Sequence, residues 1–121
     1  MGNPVVHWEF WSKDPGKVSD FYAQVFDWKI QDIPEMDYRL VRTGGKGGID
    51  GGIMTPKAGS WPGNMALYID VDDLSTYCER IKAAGGKILV ESMDVQGVGS
   101  LSLFEDPDGR VLGLWKQVEK E

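Results

Sequence analysis

The alternation of apolar and polar side chains begins near the N-terminus, where residues 5–11 read VVHWEFW. On an extended strand, successive side chains point to opposite faces of the sheet. One face of this segment is then wholly apolar and is made by Val6, Trp8 and Phe10. The other face places an imidazole and a carboxylate, those of His7 and Glu9, among apolar neighbours. The pattern predicts a strand over residues 4–11, with its apolar face against a helical layer.

The period of the pattern then changes from two to about 3.6. The apolar residues of the next segment recur at the spacing of one helical face. They are Val18, Phe21, Tyr22, Val25 and Phe26. Asp14 can cap the first turn of a helix, and Pro15 suits that turn because it lacks an N–H. These features predict a helix over residues 14–26.

Short apolar runs, separated by proline and glycine, follow the helix. They predict strands over residues 28–33, 38–43 and 48–54. The next ten residues are rich in proline and glycine, which is typical of a surface connection. This connection, residues 55–64, contains Trp61, for which we weigh a lid, a dimer contact or packing against its own loop.

The same order of elements then repeats. Residues 65–71 predict a strand, and Asp72 or Asp73 caps a second helix that Gly85 and Gly86 end. The apolar stripe of that helix comprises Leu74, Tyr77, Cys78 and Ile81. Three further strands are predicted over residues 87–91, 99–105 and 111–117. The sequence Asp-Pro-Asp-Gly at 106–109 is a turn signal between the last two.

The chain therefore predicts strand, helix and three strands, twice over. We expect one α+β domain over residues 1–121, with modules at about 4–54 and 65–117. Neither module alone is large enough to bury both faces of its sheet. Together they predict a curved eight-stranded mixed sheet, with the helices outside and an open cleft within.

Composition narrows the classes of function. The chain carries a formal net charge of −6, so a basic surface for nucleic acid is not expected. Its single cysteine, Cys78, excludes an intrachain disulfide and a zinc site of several thiolates. The first residues have no basic and apolar regions of a secretory signal, and no apolar run is long enough to span a bilayer. We expect a cytoplasmic protein with neither a membrane nor a nucleic acid as partner.

Four stretches of the chain together resemble one known group of proteins. They are the strand with His7, DPGKVSDFYAQVFDW, IDVDDLSTYCERIKAAGGKI and LFEDPDGRVLGLW. In combination they are similar to the vicinal oxygen chelate superfamily, which includes glyoxalase I, extradiol dioxygenases and bleomycin-binding proteins. The resemblance covers residues 4–117. It implies the glyoxalase/bleomycin-resistance fold of paired βαβββ modules, assembled as a homodimer.

The resemblance also implies where a metal ion would be held. Its first-strand and last-strand ligand positions correspond here to His7, Ala66, Gly52 and Gly113, of which only His7 carries a donor side chain. A catalytic divalent metal generally needs three protein ligands. Asp50 could join His7 and Glu9 only if the strand register shifted by two residues. We therefore expect no cofactor, with a divalent metal as the alternative.

The small residues at these positions suggest a different use of the site. Gly52, Ala66 and Gly113 would give a low floor, and larger side chains on the same strand faces would surround it. These side chains are Trp11, Met54, Tyr68 and Trp115. An apolar or planar organic ligand suits such a surface, with His7 and Glu9 as its polar contacts. The alternative is that the large side chains fill the space as core.

Three functions remain open from the sequence. The first is a metal-free protein that binds a small organic molecule in the cleft. The second is an enzyme of lyase, isomerase or dioxygenase type that uses His7 and Glu9 as catalytic residues, with or without a metal. The third is a resistance protein that sequesters a cationic antibiotic, which only the acidic charge supports. Because one scaffold hosts unrelated chemistries, the sequence does not name the ligand.

Overall fold

The computed structural model describes residues 2–56, 63–95 and 97–118, so Trp61 lies outside the described residues. It has the eight-stranded mixed sheet and the two α-helices expected from the sequence. The chain divides into two compact units, His7–Ala66 and Leu67–Glu121 together with Met1–Val6. Neither helix has the length and hydrophobicity needed to cross a bilayer.

The His7–Ala66 unit contains a helix and four neighbouring strands. Its elements are β1 (Val5–Trp11), α1 (Pro15–Phe26), β2 (Lys29–Ile33), β3 (Tyr38–Arg42) and β4 (Gly51–Met54). The strand order is β2-β3-β4-β1. β1 runs parallel to β4, and the other neighbours are antiparallel. A short 3-10 turn, Pro34–Met36, separates β2 from β3.

The Leu67–Glu121 unit repeats this plan. Its elements are β5 (Met65–Asp70), α2 (Leu74–Ala83), β6 (Lys87–Val95), β7 (Gly99–Glu105) and β8 (Val111–Gln117). The strand order is β5-β8-β7-β6, with β5 parallel to β8 and the others antiparallel. The repeated order of strand, helix and three strands is therefore confirmed.

Both helices begin where the capping residues predict. The Asp14 carboxylate accepts a hydrogen bond of 3.2 Å from the backbone N–H of Lys17, which satisfies a free donor of the first turn of α1. For α2 the cap is Asp73 rather than Asp72, and its carboxylate accepts the N–H of Thr76 at 3.0 Å. The chain leaves α2 through Gly85, whose φ of 98° favours glycine.

Two strands differ from the sequence prediction by more than two residues. β6 continues to Val95 rather than ending at 91, with register shifts after Ile88 and Val90. Since β6 pairs on one side only within its unit, its polar residues can face solvent, and the shifts break the alternation that predicts a strand. β4 begins at Gly51 instead of 48, because the Asp50 carboxylate accepts the Thr43 N–H at 3.0 Å and closes the preceding loop.

The core of the Leu67–Glu121 unit confirms the predicted stripe of α2. Its buried residues are Val71, Leu74, Cys78, Phe104 and Leu114, and Tyr77 and Ile81 pack against them. Cys78 is only 1% exposed, so the sole thiol of the chain is part of this core. The stripe therefore does what its spacing predicts, which is to bury one side of α2 against β7 and β8.

An aromatic layer joins α1 to β1 in the other unit. The Tyr22 ring stacks on Trp28 with centroids 5.0 Å apart and lies 5.3 Å from Phe10, while Trp8 lies 5.4 Å from Trp28. Trp8 and Phe10 thus pack against the helical layer as predicted, whereas Val6, the third residue of this face, is 40% exposed and its predicted burial is wrong.

The predicted stripe of α1 is wider than the surface it covers. Phe21, Val25 and Phe26 are each more than half exposed, at 55%, 54% and 56%. Their helical spacing predicts burial, and for these three residues that expectation is wrong. A helix on a small sheet buries one edge of a broad stripe and leaves the other edge at the surface.

Tyr22 should therefore carry more of the stability of this unit than its apolar neighbours on the same helix. Tyr22→Ala removes a ring that contacts both Phe10 and Trp28, and we expect a loss of about 2 kcal/mol in the free energy of unfolding. Val25→Ala, at an exposed position of the same helix, should cost less than about 0.5 kcal/mol. Urea unfolding followed by circular dichroism measures both, and equal losses would contradict this account of the layer.

Candidate functional site

A histidine and a tyrosine from different strands meet in the His7–Ala66 unit. Nε2 of His7, on β1, lies 2.7 Å from the hydroxyl oxygen of Tyr38, the first residue of β3. The two rings are nearly parallel, at 22°. Either group can donate in this hydrogen bond, because the tautomer of the imidazole decides which nitrogen carries the proton. Both side chains are half-buried, so the bond is only partly open to competition from water.

The strand register explains how Tyr38 reaches His7. Tyr38 lies opposite Met54 on β4, and Met54 lies opposite Trp11 on β1. Two residues back along β4 is Gly52, which lies opposite Glu9. The Tyr38 side chain crosses Gly52 diagonally, because an added Cβ on Gly52 would overlap the ring and the hydroxyl oxygen. Gly52 therefore leaves the space that the Tyr38 ring occupies.

The pattern of the sequence does not identify Tyr38 as part of the site. Tyr38 stands at the very start of its strand, after Asp37 turns the chain with a φ of 51°. Alternation gives the face of a strand residue but not its neighbours on the next strand, which depend on register. The only local signal is the glycine at 52, which leaves room for a large side chain from a neighbouring strand.

Glu9 and Trp11 form a second polar pair on the same face of β1. The indole Nε1 of Trp11 donates to Oε1 of Glu9 at 2.7 Å, and each residue is 6% exposed. A buried carboxylate needs such donors, since burial without them is costly. Glu9 thus hydrogen-bonds a neighbour on its own strand, and the Trp11 indole is buried beside it.

The environment of His7 favours its neutral form. Burial lowers the pKa of His7 below the ordinary 6.5, while the nearby carboxylates of Glu9 and Asp50 oppose this by raising it. Asp50 acts from a distance, since its own carboxylate is used in the loop contact with Thr43. At neutral pH the imidazole is therefore an uncharged donor and acceptor of hydrogen bonds.

The remaining predicted residues divide between the two units. Ala66, 2% exposed, and the half-buried Met54 belong to the His7–Ala66 unit. In the other unit Tyr68 lies opposite Gly113, and an added Cβ on Gly113 would overlap the Tyr68 ring. Trp115, on the same strand as Gly113, covers Gly99. The glycine at 113, like the one at 52, thus accommodates a tyrosine ring, and a contact of these residues with a ligand stays a prediction.

Comparison with known proteins decides the family. The sequence model of the Glyoxalase/Bleomycin resistance protein/Dioxygenase superfamily matches residues 5–114. The chain belongs to this superfamily. The match covers both units, and it agrees with the resemblance read from the sequence.

Curated relatives and solved structures support this assignment. The chain is 27% identical to the anthracycline biosynthesis protein DnrV of Streptomyces peucetius, over 88% of this chain and 44% of the relative. It is 27% identical to the putative glyoxylase CFP32 of Mycobacterium bovis, over 85% of this chain and 41% of the relative. The chain thus spans less than half the length of these relatives. A superfamily member from Vibrio splendidus 12B01 has the same fold, with a TM-score of 0.65 at 16% identity over 95% of this chain and 99% of that one.

The described residues at the implied ligand positions do not fit a metal site of three protein ligands. Among the residues that the structure describes, no three His, Cys, Asp or Glu side chains are grouped so that they could hold an ion. The one donor at the implied ligand positions, His7, uses Nε2 for the bond with Tyr38. At Gly52 a ligating side chain would displace the Tyr38 ring. The Tyr38 ring occupies the space that a side chain at position 52 would need, and its hydroxyl group is hydrogen-bonded to His7.

Gly52→Ala should disrupt this pair without changing either of its members. The added methyl group overlaps the Tyr38 ring, so we expect a loss of roughly 1–3 kcal/mol in the free energy of unfolding and a changed imidazole signal for His7. His7 is the only histidine, so its ¹⁵N NMR signals are unambiguous. Gly16→Ala is the control, because its Cβ would meet no atom closer than 3.7 Å. An unchanged His7 signal in Gly52→Ala would show that Tyr38 does not need this glycine.

The lowered pKa of His7 also predicts a pH dependence of stability. Because the unfolded chain binds a proton at a higher pH than the folded chain does, protonation favours unfolding. The contribution of His7 is constant above pH 6.5 and turns unfavourable as the pH falls from 6.5 to the lowered pKa. The difference in unfolding free energy between wild type and His7→Gln, measured by urea unfolding at several pH values, should shift against the wild type across this window. A shift in its favour would mean that the carboxylates outweigh burial.

Proposed function

We propose that this protein binds a small organic molecule, without a metal ion, at the face of β1 and β4 that carries His7 and Tyr38. The observation that supports it is the hydrogen bond of 2.7 Å between these residues over Gly52. The pair joins a phenol to the neutral imidazole of His7, which is the one side chain at the implied metal-ligand positions that carries a donor atom. Such a pair gives direction to a ligand through hydrogen bonds rather than through coordination.

The chemistry of the group indicates the kind of ligand. An uncharged imidazole and a hydroxyl both exchange donor and acceptor roles, so they match a carbonyl or hydroxyl oxygen. The half-buried side chains of Tyr38 and Met54 add apolar surface on the same sheet face, and the buried Trp11 packs beneath it. The carboxylate of Glu9 is engaged by the Trp11 indole and serves to fix that ring. We propose a planar, largely apolar compound that carries oxygen substituents.

The relatives support an organic ligand. One of them is named for anthracycline biosynthesis, and for this chain we propose a compound of comparable class. Because the chain spans 44% of that relative, the activity of the whole relative comes to this chain only as a proposal. A homodimer and a cytoplasmic location complete the proposal. They rest on the resemblance and on the single, buried thiol.

Catalysis is the second candidate, and one contact favours it. In the tautomer in which Nε2–H of His7 donates to the Tyr38 hydroxyl oxygen, the Nδ1 lone pair can take a proton from a bound substrate, and the phenol oxygen stabilises the resulting imidazolium by accepting the Nε2–H. The name of one relative, a putative glyoxylase, is consistent with a lyase-type reaction. A resistance function for a cationic antibiotic stays a prediction that rests on the net charge of −6 alone.

A fluorescent anthracycline, daunorubicin, is a suitable probe of the proposed binding. We expect saturable quenching of its fluorescence, and about tenfold weaker binding for His7→Gln and for Tyr38→Phe, since the first replaces the positioned imidazole and the second removes the phenol hydroxyl. Gln24→Ala, at an exposed position on α1, is the matched control and should bind as the wild type does. The aglycone without the amino sugar should bind with similar affinity, whereas a strict need for the amine would favour the cationic antibiotic.

Metal content tests the other half of the proposal. Elemental analysis of natively purified protein should find no divalent metal at a stoichiometric level. A stoichiometric metal that is lost in His7→Gln would overturn metal-free binding, and so would daunorubicin affinity that depends on added metal. Absence of binding by both daunorubicin and its aglycone would overturn the proposed ligand class.

A further inference from the structure

A cavity of about 450 Å³ lies in the His7–Ala66 unit, next to the start of α1. Its volume is in the range of small-molecule sites. Much of its wall is apolar and stiff, made by Pro15, Pro34, Pro56 and Ile53. Because each proline ring fixes its backbone φ angle, this wall is already rigid and loses little conformational entropy when a ligand binds. Tyr38 also lines this cavity, whereas His7 and Glu9 do not.

One positive charge faces this cavity. Arg39 lies opposite Ile53 in the pairing of β3 with β4, and its side chain is 32% exposed. Its one ion pair in the described part of the chain is with Asp32, at 3.9 Å, which is longer than a hydrogen bond. A guanidinium has five N–H donors in a planar fork that matches a carboxylate. Arg39 is thus partly desolvated with donor capacity to spare.

We propose that this cavity binds a small organic carboxylate, with the acid group on Arg39 and the apolar body between the prolines and Ile53. Charge-assisted, bidentate pairs of this kind are stronger than neutral hydrogen bonds. Asp32 and Asp37 also line the cavity, so a carboxylate ligand competes with Asp32 for the guanidinium. The Asp32 side chain is 55% exposed and can turn to solvent when the ligand enters. This site does not rest on the function proposed for His7.

Three probes of nearly equal shape separate the chemistries. Benzoate, benzamide and benzamidine carry a negative, a neutral and a positive group on the same ring. Titration followed by ¹H–¹⁵N NMR gives both the dissociation constant and the location of each probe. We expect benzoate to bind most tightly and to shift the backbone signals of Arg39, Ile53 and Thr55. Tightest binding of benzamidine would overturn the proposal, because the acidic side chains would then define the site.

Two variants with opposite expected effects make the test sharper. Arg39→Gln should weaken benzoate binding about tenfold, since it removes the charged hydrogen bonds. Asp32→Asn should strengthen it several-fold, since it removes the competitor. Arg42→Gln is the control, because it removes an exposed arginine of the same strand that does not line the cavity. Circular dichroism checks that each variant is folded. If Arg39→Gln does not fold, Arg39→Lys is measured in its place.

The outcomes are distinguishable from those for the His7 site. Equal benzoate affinity in wild type and Arg39→Gln would overturn the carboxylate site, whatever daunorubicin does. Benzoate shifts at His7 and Trp11 instead of Arg39 would place the acid elsewhere and would also overturn it. Weaker daunorubicin binding in His7→Gln, with benzoate binding intact, is the result expected if both proposals hold.

Discussion

The packing of the Tyr38 ring against Gly52 is the contact that organises this face of the His7–Ala66 unit. A side chain at position 52 would occupy the volume that the Tyr38 ring fills, so the absence of a Cβ there is a steric requirement. Once the ring lies across β4, its hydroxyl reaches Nε2 of His7 two strands away from its own. The cost of a glycine in a strand is thereby offset by packing and by a hydrogen bond that joins β3 to β1. The Trp11–Glu9 pair on the same face then completes a layer in which each named polar group has a partner.

The same device occurs in the other unit by a different route. Tyr68, on the parallel strand β5, lies directly opposite Gly113 and covers it. Tyr38, on the antiparallel strand β3, lies diagonally across from Gly52 and covers that glycine. Both glycines fall at positions where the family resemblance implies metal ligands. In this member of the superfamily, aromatic rings stand where ligating side chains would be. Both glycines therefore make room for packing of a ring, and at Gly52 the ring also forms a hydrogen bond.

Electrostatics on this face depends on the balance between burial and two carboxylates. Desolvation lowers the pKa of His7, and the charges of Glu9 and Asp50 act in the opposite direction. Desolvation is the larger effect, and it keeps the imidazole neutral under ordinary conditions. A neutral imidazole beside a phenol is suited to hydrogen bonding with an uncharged oxygen. Arg39, on the other face of the same sheet, carries a positive charge, so the ligands that we propose for the two sites differ in charge.

Periodicity in the sequence determined the order of the ten main elements, because the spacing of apolar residues and the caps at Asp14 and Asp73 are local properties. The family resemblance implied four ligand positions, and residue identity showed that only His7 among them carries a donor side chain, since glycine and alanine offer none. Periodicity did not determine that Phe21, Val25 and Phe26 stay exposed, because burial depends on how much sheet the helix meets. Nor did it find Tyr38 or Arg39, whose roles arise from partners that only the strand register brings opposite or diagonal to them. Tertiary structure decided the site because contacts between strands join residues that are far apart in sequence. Local patterns do not reveal which residues of two strands lie opposite each other.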